Sequence, residues 1–222
     1  MSKTIIIEPH FSDAAWSTGG LIAKNPEEYM IVTIFSSNKF FSRFRNKNFN
    51  NRDLRRAERK FLRKLGVTHK GLGFNKDTDR KRDLSEIFHG SLKPAEQEMI
   101  PKIAKKLRKL YETYQPEVIY APMAVDHRID HTIVKKAIQH EPYSDIIFYE
   151  DFPNFSDENR KNKYNYEGFE LLKEDISDVI NKKIDGIFCF KRLIKAFYTN
   201  PQILQKSLKQ NPYELYWKET ED

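Results

Sequence analysis

The sequence predicts an α/β fold, with a mostly parallel, Rossmann-like sheet covered by helices on both faces. Short runs of β-branched and aromatic residues alternate with longer amphipathic segments up to about residue 150, as expected for parallel strands joined by helical crossovers. The sequence has no internal repeat and no clean linker, so residues 1–222 are predicted to form a single domain.

The first strand is expected at residues 3–8, where three consecutive isoleucines form an apolar run typical of a strand covered on both faces. Pro9 ends this strand because proline cannot continue a central strand. Residues 13–24 have the composition of a helix. Gly19 and Gly20 lie inside it and predict either close packing or a break.

The next elements follow from periodicity and from stop signals. Residues 29–35 read as the second strand and residues 69–74 as the third. Between them, residues 52–65 are predicted to form a helix, because their apolar side chains repeat along one face. Gly66 is the stop signal of this helix. Residues 94–114 begin with proline and repeat apolar side chains at helical spacing.

The same signals predict the rest of the chain in order: a strand at 117–121, a helix at 130–139, a strand at 146–149, an edge strand at 167–172, a helical region at 176–198 with an irregularity at Gly186, a short helix at 201–209, and a strand or tail at 213–217. Residues 36–51 and 75–92 are predicted to be long charged loops, and residues 155–166 a surface excursion.

Composition indicates a globular protein, with 39% hydrophobic and 32% charged residues. No apolar run approaches the ~20 residues of a membrane span, and the N-terminus lacks a signal-peptide pattern. The single cysteine, Cys189, cannot form an internal disulfide, which fits a reducing compartment. We therefore expect a cytoplasmic protein without a transmembrane segment.

The net charge of +7 is concentrated in residues 43–82, which hold 15 Lys and Arg against 4 Asp and Glu. Such a region attracts phosphorylated substrates, anionic surfaces or nucleic acid, or is simply a solvated helix face. No zinc-finger or RNP-like motif accompanies it, so no nucleic-acid partner is expected. The basic loops at 39–49 and 75–89 suit a sugar nucleotide or phosphorylated glycan, although the aromatics of the first loop equally suit core or oligomer contacts.

Two strand ends carry side chains that suit a metal. His10 and Asp13 follow the first strand directly. The segment 126–131 contains two histidines and two aspartates and follows the strand at 117–121 and its exit proline. In open α/β sheets the carboxyl ends of the strands hold the ligand site, and catalytic zinc usually has three His or carboxylate ligands. The alternative is that these are hydrogen-bonded loop residues.

Four blocks in this order resemble the LmbE/PIG-L family of zinc-dependent N-deacetylases. They are Pro9-His10-Phe11-Ser12-Asp13 with Gly19-Gly20, then Arg55 and Glu58 followed by Leu65-Gly66, then Arg128-Ile129-Asp130-His131, and finally Tyr149-Glu150-Asp151-Phe152-Pro153. The resemblance implies that His10, Asp13 and His131 bind Zn²⁺ or another divalent metal. It implies that Asp130 orients groups at the metal and that Arg55 lies near the substrate mouth. The alternative for Arg55 is a surface ion pair on its own helix.

This sequence departs from the family at two positions. Ser12 stands where the family has the aspartate that acts as general base, and a serine hydroxyl does not ionise near neutral pH. Arg128 stands where the family has a histidine that assists the oxyanion and the leaving group; arginine stabilises negative charge but cannot give up a proton. His127, or Glu150 or Asp151 on the substrate side, would then have to handle protons.

These observations predict a metal-dependent hydrolase that removes an N-acyl group, mostly N-acetyl in this family, from an amino-sugar-containing substrate. The expected partner is an N-acylated sugar or glycoconjugate, and an oligomer is compatible with the sequence. The alternative is a catalytically degenerate family member that binds a metal, a glycan or a protein partner. The two differences at Ser12 and Arg128 favour the alternative, and the three retained ligand types favour the enzyme.

Overall fold

The computed structural model describes residues 4–37, 51–80, 82, 86–88, 91–125, 127–143, 145–152, 166–198 and 200–220. Within these residues, seven strands form one sheet. They are β1 (Thr4–Glu8), β2 (Tyr29–Thr33), β3 (Thr68–Gly71), β4 (Val118–Pro122), β5 (Ile146–Tyr149), β6 (Phe169–Asp175) and β7 (Tyr213–Glu219). Their order in the sheet is β3-β2-β1-β4-β5-β7-β6.

Helices connect and cover these strands. In chain order they are α1 (Asp13–Ser17), α2 (Gly19–Lys24), α3 (Asn51–Leu65), α4 (Pro94–Gln97), α5 (Met99–Tyr114), α6 (Ile129–Gln139), α7 (Ile180–Ile187), α8 (Lys191–Phe197) and α9 (Pro201–Gln210), with short 3-10 turns at Pro26–Glu28 and Asp77–Arg80. In the described part of the chain, no helix is both long enough and apolar enough to cross a lipid bilayer.

The centre of the sheet is parallel. β1 pairs with β2 on one side and with β4 on the other, so that Ile6 lies between Ile31 and Tyr120. The chain runs outward from β1 to β3 and then returns to β4, so the strand order reverses between β1 and β4. Ligands of open α/β sheets bind at such a switch point, outside the carboxyl ends of the strands.

The far edge of the sheet is antiparallel. β7 pairs with β5 on one side and with β6 on the other, and β6 forms the edge. The segment predicted as a terminal strand or tail is thus an inner strand, and Tyr216 and Trp217 are buried in it. The predicted α/β class and the predicted edge strand are both confirmed.

Two apolar layers enclose the sheet. Trp16, Phe61 and Phe190 belong to the layer formed with α1, α3, α7 and α8. The opposite layer contains Leu107 of α5 and Val134 of α6. Burying each such side chain contributes roughly 1.5–3 kcal/mol, and the two layers hold β1 and β4 rigidly side by side.

The helix predicted at 13–24 is two helices, because the chain breaks at Thr18 between α1 and α2. Gly20 also allows close packing, since a Cβ atom there would lie 2.6 Å from the Ile176 side chain. The predicted break and the predicted close packing at Gly19 and Gly20 are therefore both found. The region predicted at 176–198 is likewise divided into α7 and α8, but the division follows α7, and Gly186 lies inside that helix against Phe61.

Much of the predicted loop at 36–51 and of the excursion at 155–166 lies outside the described residues. The loop predicted at 75–92 is described in part and contains the 3-10 turn Asp77–Arg80.

Candidate metal centre

The two strand ends singled out by the sequence meet at the switch point. Asp13 begins α1 just after β1, and His131 lies in the first turn of α6, just after β4. Because β1 and β4 are neighbours with parallel register, the loops that leave them share one edge of the sheet. The rings of His10 and His131 are 5.6 Å apart between centroids, so the two imidazoles lie close together.

His10, Asp13 and His131 place three ligand-type atoms within 4.8 Å of one another. The Asp13 Oδ2 atom is 3.4 Å from His10 Nδ1 and 3.6 Å from His131 Nε2. The His10 backbone N–H donates to the same oxygen at 2.7 Å, which fixes the carboxylate. The side chains are 12%, 13% and 3% exposed respectively, so the cluster is nearly closed but reachable.

Each imidazole is held from behind by a carboxylate. His10 Nε2 is 2.7 Å from Asp130 Oδ2, and His131 Nδ1 is 2.6 Å from Asp151 Oδ1. These contacts use the ring nitrogens that point away from Asp13. The remaining nitrogens, Nδ1 of His10 and Nε2 of His131, face it. Carboxylate–histidine pairs of this kind orient the imidazoles of metal sites and raise their basicity.

This donor set fits a divalent cation with two imidazole nitrogens and one carboxylate oxygen. A second cluster of His10, Asp77 and Asp130 has similar spacing. It shares His10, and its Asp130 already forms an ion pair with Arg80 at 2.7 Å. The first cluster is therefore the better cation site.

Electrostatics favour the ionised forms of Asp13 and Asp130, whereas burial raises the pKa of Asp151 to about 7. Burial opposes ionisation of Asp130, but the hydrogen bond to His10 and the charges of His10 and Arg80 lower its pKa to about 2. Asp13 is similarly buried, and the charge of His131 together with the contacts to His10 lowers its pKa. Burial lowers the pKa of His10, yet its hydrogen bonds to Asp13 and Asp130 outweigh burial and raise it to about 9. A cation would thus displace a proton from His10.

Ser12 has a strained backbone, with φ of 102° in the left-handed region. Of the four non-glycine residues with positive φ in the described chain, Ser12, Ala124 and His127 flank this site. Such conformations cost about 1–3 kcal/mol and cluster at functional sites.

Two buried carboxyl groups hold the start of α1. Glu58 Oε2 accepts the Ser12 N–H at 3.1 Å, and Glu8 Oε2 accepts the Ala14 N–H at 2.9 Å. Burial, with added repulsion from Asp13, raises the pKa of Glu58 to about 8. Burial and repulsion from Glu58 likewise raise the pKa of Glu8 well above its usual value.

Arg128 points at the cluster. Its Nη2 atom is 3.4 Å from His10 Nδ1, so its positive charge lies beside the candidate ligands. His127 is exposed, and its backbone N–H closes a turn onto the Ala124 carbonyl at 3.2 Å. The structure therefore brings Arg128 to the site and leaves His127 at the surface.

The predicted substrate-side residues take three different positions. Arg55 donates to the Ser36 carbonyl at 2.5 Å and lies 5.4 Å from the Phe11 ring centroid, beside the site. Glu150 is half-buried, and its backbone N–H pairs with β7. Asp151 is buried behind His131 and also accepts the Val125 N–H at 2.9 Å. This differs from the predicted position on the substrate side, because the carboxylate lies buried behind the His131 imidazole.

Glu8, Asp77 and Arg80 also lie at the site, although no sequence motif singles them out. A charged residue at the end of the isoleucine run could have drawn attention to Glu8, because a carboxylate there must have a partner. Asp77 and Arg80 belong to a segment that was read as loop. Its acidic and basic residues alone gave no sign that two of them reach Asp130.

A sequence model of the PIG-L family, described as GlcNAc-PI de-N-acetylase, matches residues 5–140. The chain belongs to the PIG-L family. This match confirms the family resemblance. It includes the first three motif blocks, with the positions of His10, Asp13 and His131, and ends before the fourth block. Among curated proteins, none matches the sequence.

Solved structures share the PIG-L fold. A deacetylase from the teicoplanin biosynthesis pathway is 16% identical with a TM-score of 0.79, and each chain covers 99% of the other. A zinc-inhibited form of teicoplanin deacetylase is 15% identical with a TM-score of 0.73 and 99% coverage of each chain. The N,N'-diacetylchitobiose deacetylase from Pyrococcus horikoshii is 16% identical with a TM-score of 0.60, over 97% of this chain and 83% of that one.

Proposed function

We propose that this protein is a divalent-metal-dependent amide hydrolase that removes an N-acyl group, mostly N-acetyl in this family, from an amino-sugar-containing substrate. The observation that carries the proposal is the convergence of His10, Asp13 and His131, with a carboxylate behind each imidazole. Membership of the PIG-L family, and the deacetylases among proteins of the same fold, support the reaction class.

His10, Asp13 and His131 would hold the cation, which would polarise an acyl carbonyl and lower the pKa of a water molecule. Asp130 and Asp151 fix the two imidazoles so that both face the cation. Arg128 would stabilise the negative charge that develops on the carbonyl oxygen, since its guanidinium already reaches His10. Arg55, beside Phe11, would line the entrance for sugar hydroxyl groups.

The weak point of this mechanism is proton transfer. Ser12 occupies the position of the family's general base, and a positioned base contributes on the order of 10²–10⁴ in rate. The second candidate function is therefore a family member that binds metal and N-acylated glycan without efficient hydrolysis. Ser12 and Arg128 are the specific observations that favour it.

Two measurements on the full chain test both candidates. Metal analysis should give about one divalent ion per chain, and acetate release from N-acetylglucosamine derivatives should stop when a chelator is added. Ser12→Asp should raise the rate by roughly 10²–10⁴ if only the base is missing. Metal binding without any gain in Ser12→Asp would favour the binding protein, and absence of metal binding would exclude both readings of the site.

A further inference from the structure

The segment between β3 and α4 is joined to the metal centre. It was expected to be a long charged loop, but its described part contains a 3-10 turn at Asp77–Arg80. The Phe74 N–H bonds to the Ile34 carbonyl at 3.1 Å, and the Ile129 N–H bonds to the Ile87 carbonyl at 2.9 Å. These contacts connect the segment to the residue that follows β2 and to the start of α6, both near the site.

The Asp130 carboxylate contacts groups from three parts of the chain, two of them by hydrogen bonds and one by an ion pair. Its Oδ2 atom contacts His10 Nε2 at 2.7 Å and accepts the Asp77 backbone N–H at 2.9 Å. Its Oδ1 atom forms an ion pair with Arg80 Nη1 at 2.7 Å. The carboxylate is fully buried, so each of these contacts replaces water that it would otherwise bind.

Arg80 is itself fixed on its other side. Its Nη2 atom is 3.1 Å from Glu96 Oε1, and its Nη1 atom donates to the Asn75 carbonyl at 2.8 Å. The guanidinium lies 5.3 Å from the Phe35 ring centroid, and that ring lies 5.8 Å from the His10 ring. Arg80 therefore touches the surroundings of His10 through both Asp130 and Phe35.

We propose that Arg80 is a positioning residue for the metal centre, acting through Asp130 to hold the His10 imidazole with Nδ1 directed at Asp13 and His131. The inference rests on the proposed function, because it assumes that these residues bind a cation. It adds a residue from a segment outside the four family-like blocks.

The physical reason lies in the two oxygens of Asp130. The ion pair between Arg80 and Oδ1 restrains rotation of the Asp130 carboxylate. Oδ2 is thereby kept at hydrogen-bond distance from His10 Nε2. Without Arg80, one oxygen of a fully buried carboxylate loses its charged partner, and such a charge is costly to leave uncompensated. The carboxylate would rotate, and this rotation would release His10 from its orientation. Loss of contacts behind a ligand typically lowers metal affinity 10- to 100-fold.

Arg82 offers a matched control on the same acidic partner. Its Nε atom is 3.0 Å from Glu96 Oε1, and its Nη2 atom contacts Glu96 Oε2. Its other described side-chain hydrogen bond goes to the Ser91 carbonyl at 2.8 Å. Removing either arginine therefore takes one cation from Glu96, but only the Arg80 change also takes one from Asp130.

The experiment measures Zn²⁺ affinity of the full chain by competition with a chromophoric chelator, without any hydrolysis assay. Arg80→Gln should weaken binding by roughly 10- to 100-fold, whereas Arg82→Gln should stay within about threefold of wild type. Arg80→Lys keeps the charge but loses the planar fork, so it should recover part of the loss. The Co²⁺ absorption spectrum of Arg80→Gln should also change, because the orientation of one imidazole changes.

Equal affinities for wild type and Arg80→Gln would overturn the inference, as would equal losses in Arg80→Gln and Arg82→Gln. If Arg80→Gln does not fold, Arg80→Lys decides alone: an unchanged affinity and Co²⁺ spectrum would overturn the inference, and a several-fold loss with native circular dichroism would support it. A wild-type chain that binds no Zn²⁺ or Co²⁺ would instead refute the proposed function.

Discussion

The two strand ends that meet at the candidate metal centre are held by different means. After β1, buried carboxyl groups form hydrogen bonds to the backbone: Glu58 accepts the Ser12 N–H, and Glu8 accepts the Ala14 N–H. After β4, carboxylates form hydrogen bonds to side chains: Asp151 contacts the His131 imidazole, and Asp130 contacts the His10 imidazole.

The difference shows which parts of the site this chain retains. The contacts that orient ligand atoms are complete at both ends. The two positions that depart from the family pattern, Ser12 after β1 and Arg128 after β4, are the ones that would handle protons and the oxyanion. We therefore expect metal binding and hydrolysis to be separable in this chain, and substitutions at each strand end test them independently.

The largest expected effect is on metal binding at the β4 end. His131→Ala should lower Zn²⁺ affinity by about 10³-fold or more, because one of three ligands is lost. His127→Ala is the matched control, since this nearby histidine is exposed and should leave the affinity unchanged. Metal content after dialysis against a weak chelator measures both. Equal retention of zinc in the two variants would contradict the assignment of the ligands.

A smaller effect on the same property is expected from Asp151→Asn. The amide cannot accept a proton or carry charge, so the His131 tautomer is less well fixed, and Zn²⁺ affinity should fall roughly 10- to 100-fold. Asp145→Asn is a suitable control, because Asp145 forms a partly exposed ion pair with Lys218 at 3.1 Å. Competition with a chelator gives the Zn²⁺ dissociation constants of both variants. An unchanged constant in Asp151→Asn would mean that the β4 end needs no carboxylate behind its imidazole.

Much of this arrangement could be predicted from the sequence. The isoleucine run of β1, the exit prolines and the His and Asp residues after them are local signals, and they located both strand ends correctly. Because the carboxyl ends of the strands hold the ligand site in open α/β sheets, the two ends were expected to share one site.

The remainder depends on contacts between residues far apart in the chain. Glu214 in β7 accepts the Gly20 N–H at 2.7 Å, and Asp130 receives Arg80 across fifty residues. Nothing local marks either partner, because acidic and basic residues are also common on solvated loops. The inner position of β7 was missed for the same reason, since its partners β5 and β6 precede it by many residues.

A third substitution tests the packing that presents Asp13 at the β1 end. Gly20→Ala should destabilise the fold by about 1–3 kcal/mol, because its Cβ atom would meet the buried Ile176 at 2.6 Å. Gly19→Ala is the control, since its Cβ atom would meet the Lys183 side chain at an ordinary 3.4 Å. Urea unfolding compares the two. Equal stabilities would show that α2 and Ile176 separate at little cost.

The smallest effect concerns the carboxyl groups beneath Ser12. The pKa of Glu58 is raised from 4.5 to about 8 in the folded chain, mainly by burial. The folded state therefore holds a proton that the unfolded state releases between these values, so stability falls as pH rises from about 5 to 8.

Glu58→Gln should remove part of that fall, because glutamine mimics the protonated acid and does not titrate. Relative to wild type, the variant should gain about 1–2 kcal/mol of unfolding free energy between pH 5 and pH 8. Urea unfolding at both pH values measures it, with Glu112→Gln as a control at an exposed position. If the unfolding free energy of wild type and Glu58→Gln changed in parallel with pH, the Glu58 carboxyl would be ionised over the whole range. The Ser12 N–H would then be held by a fully charged carboxylate.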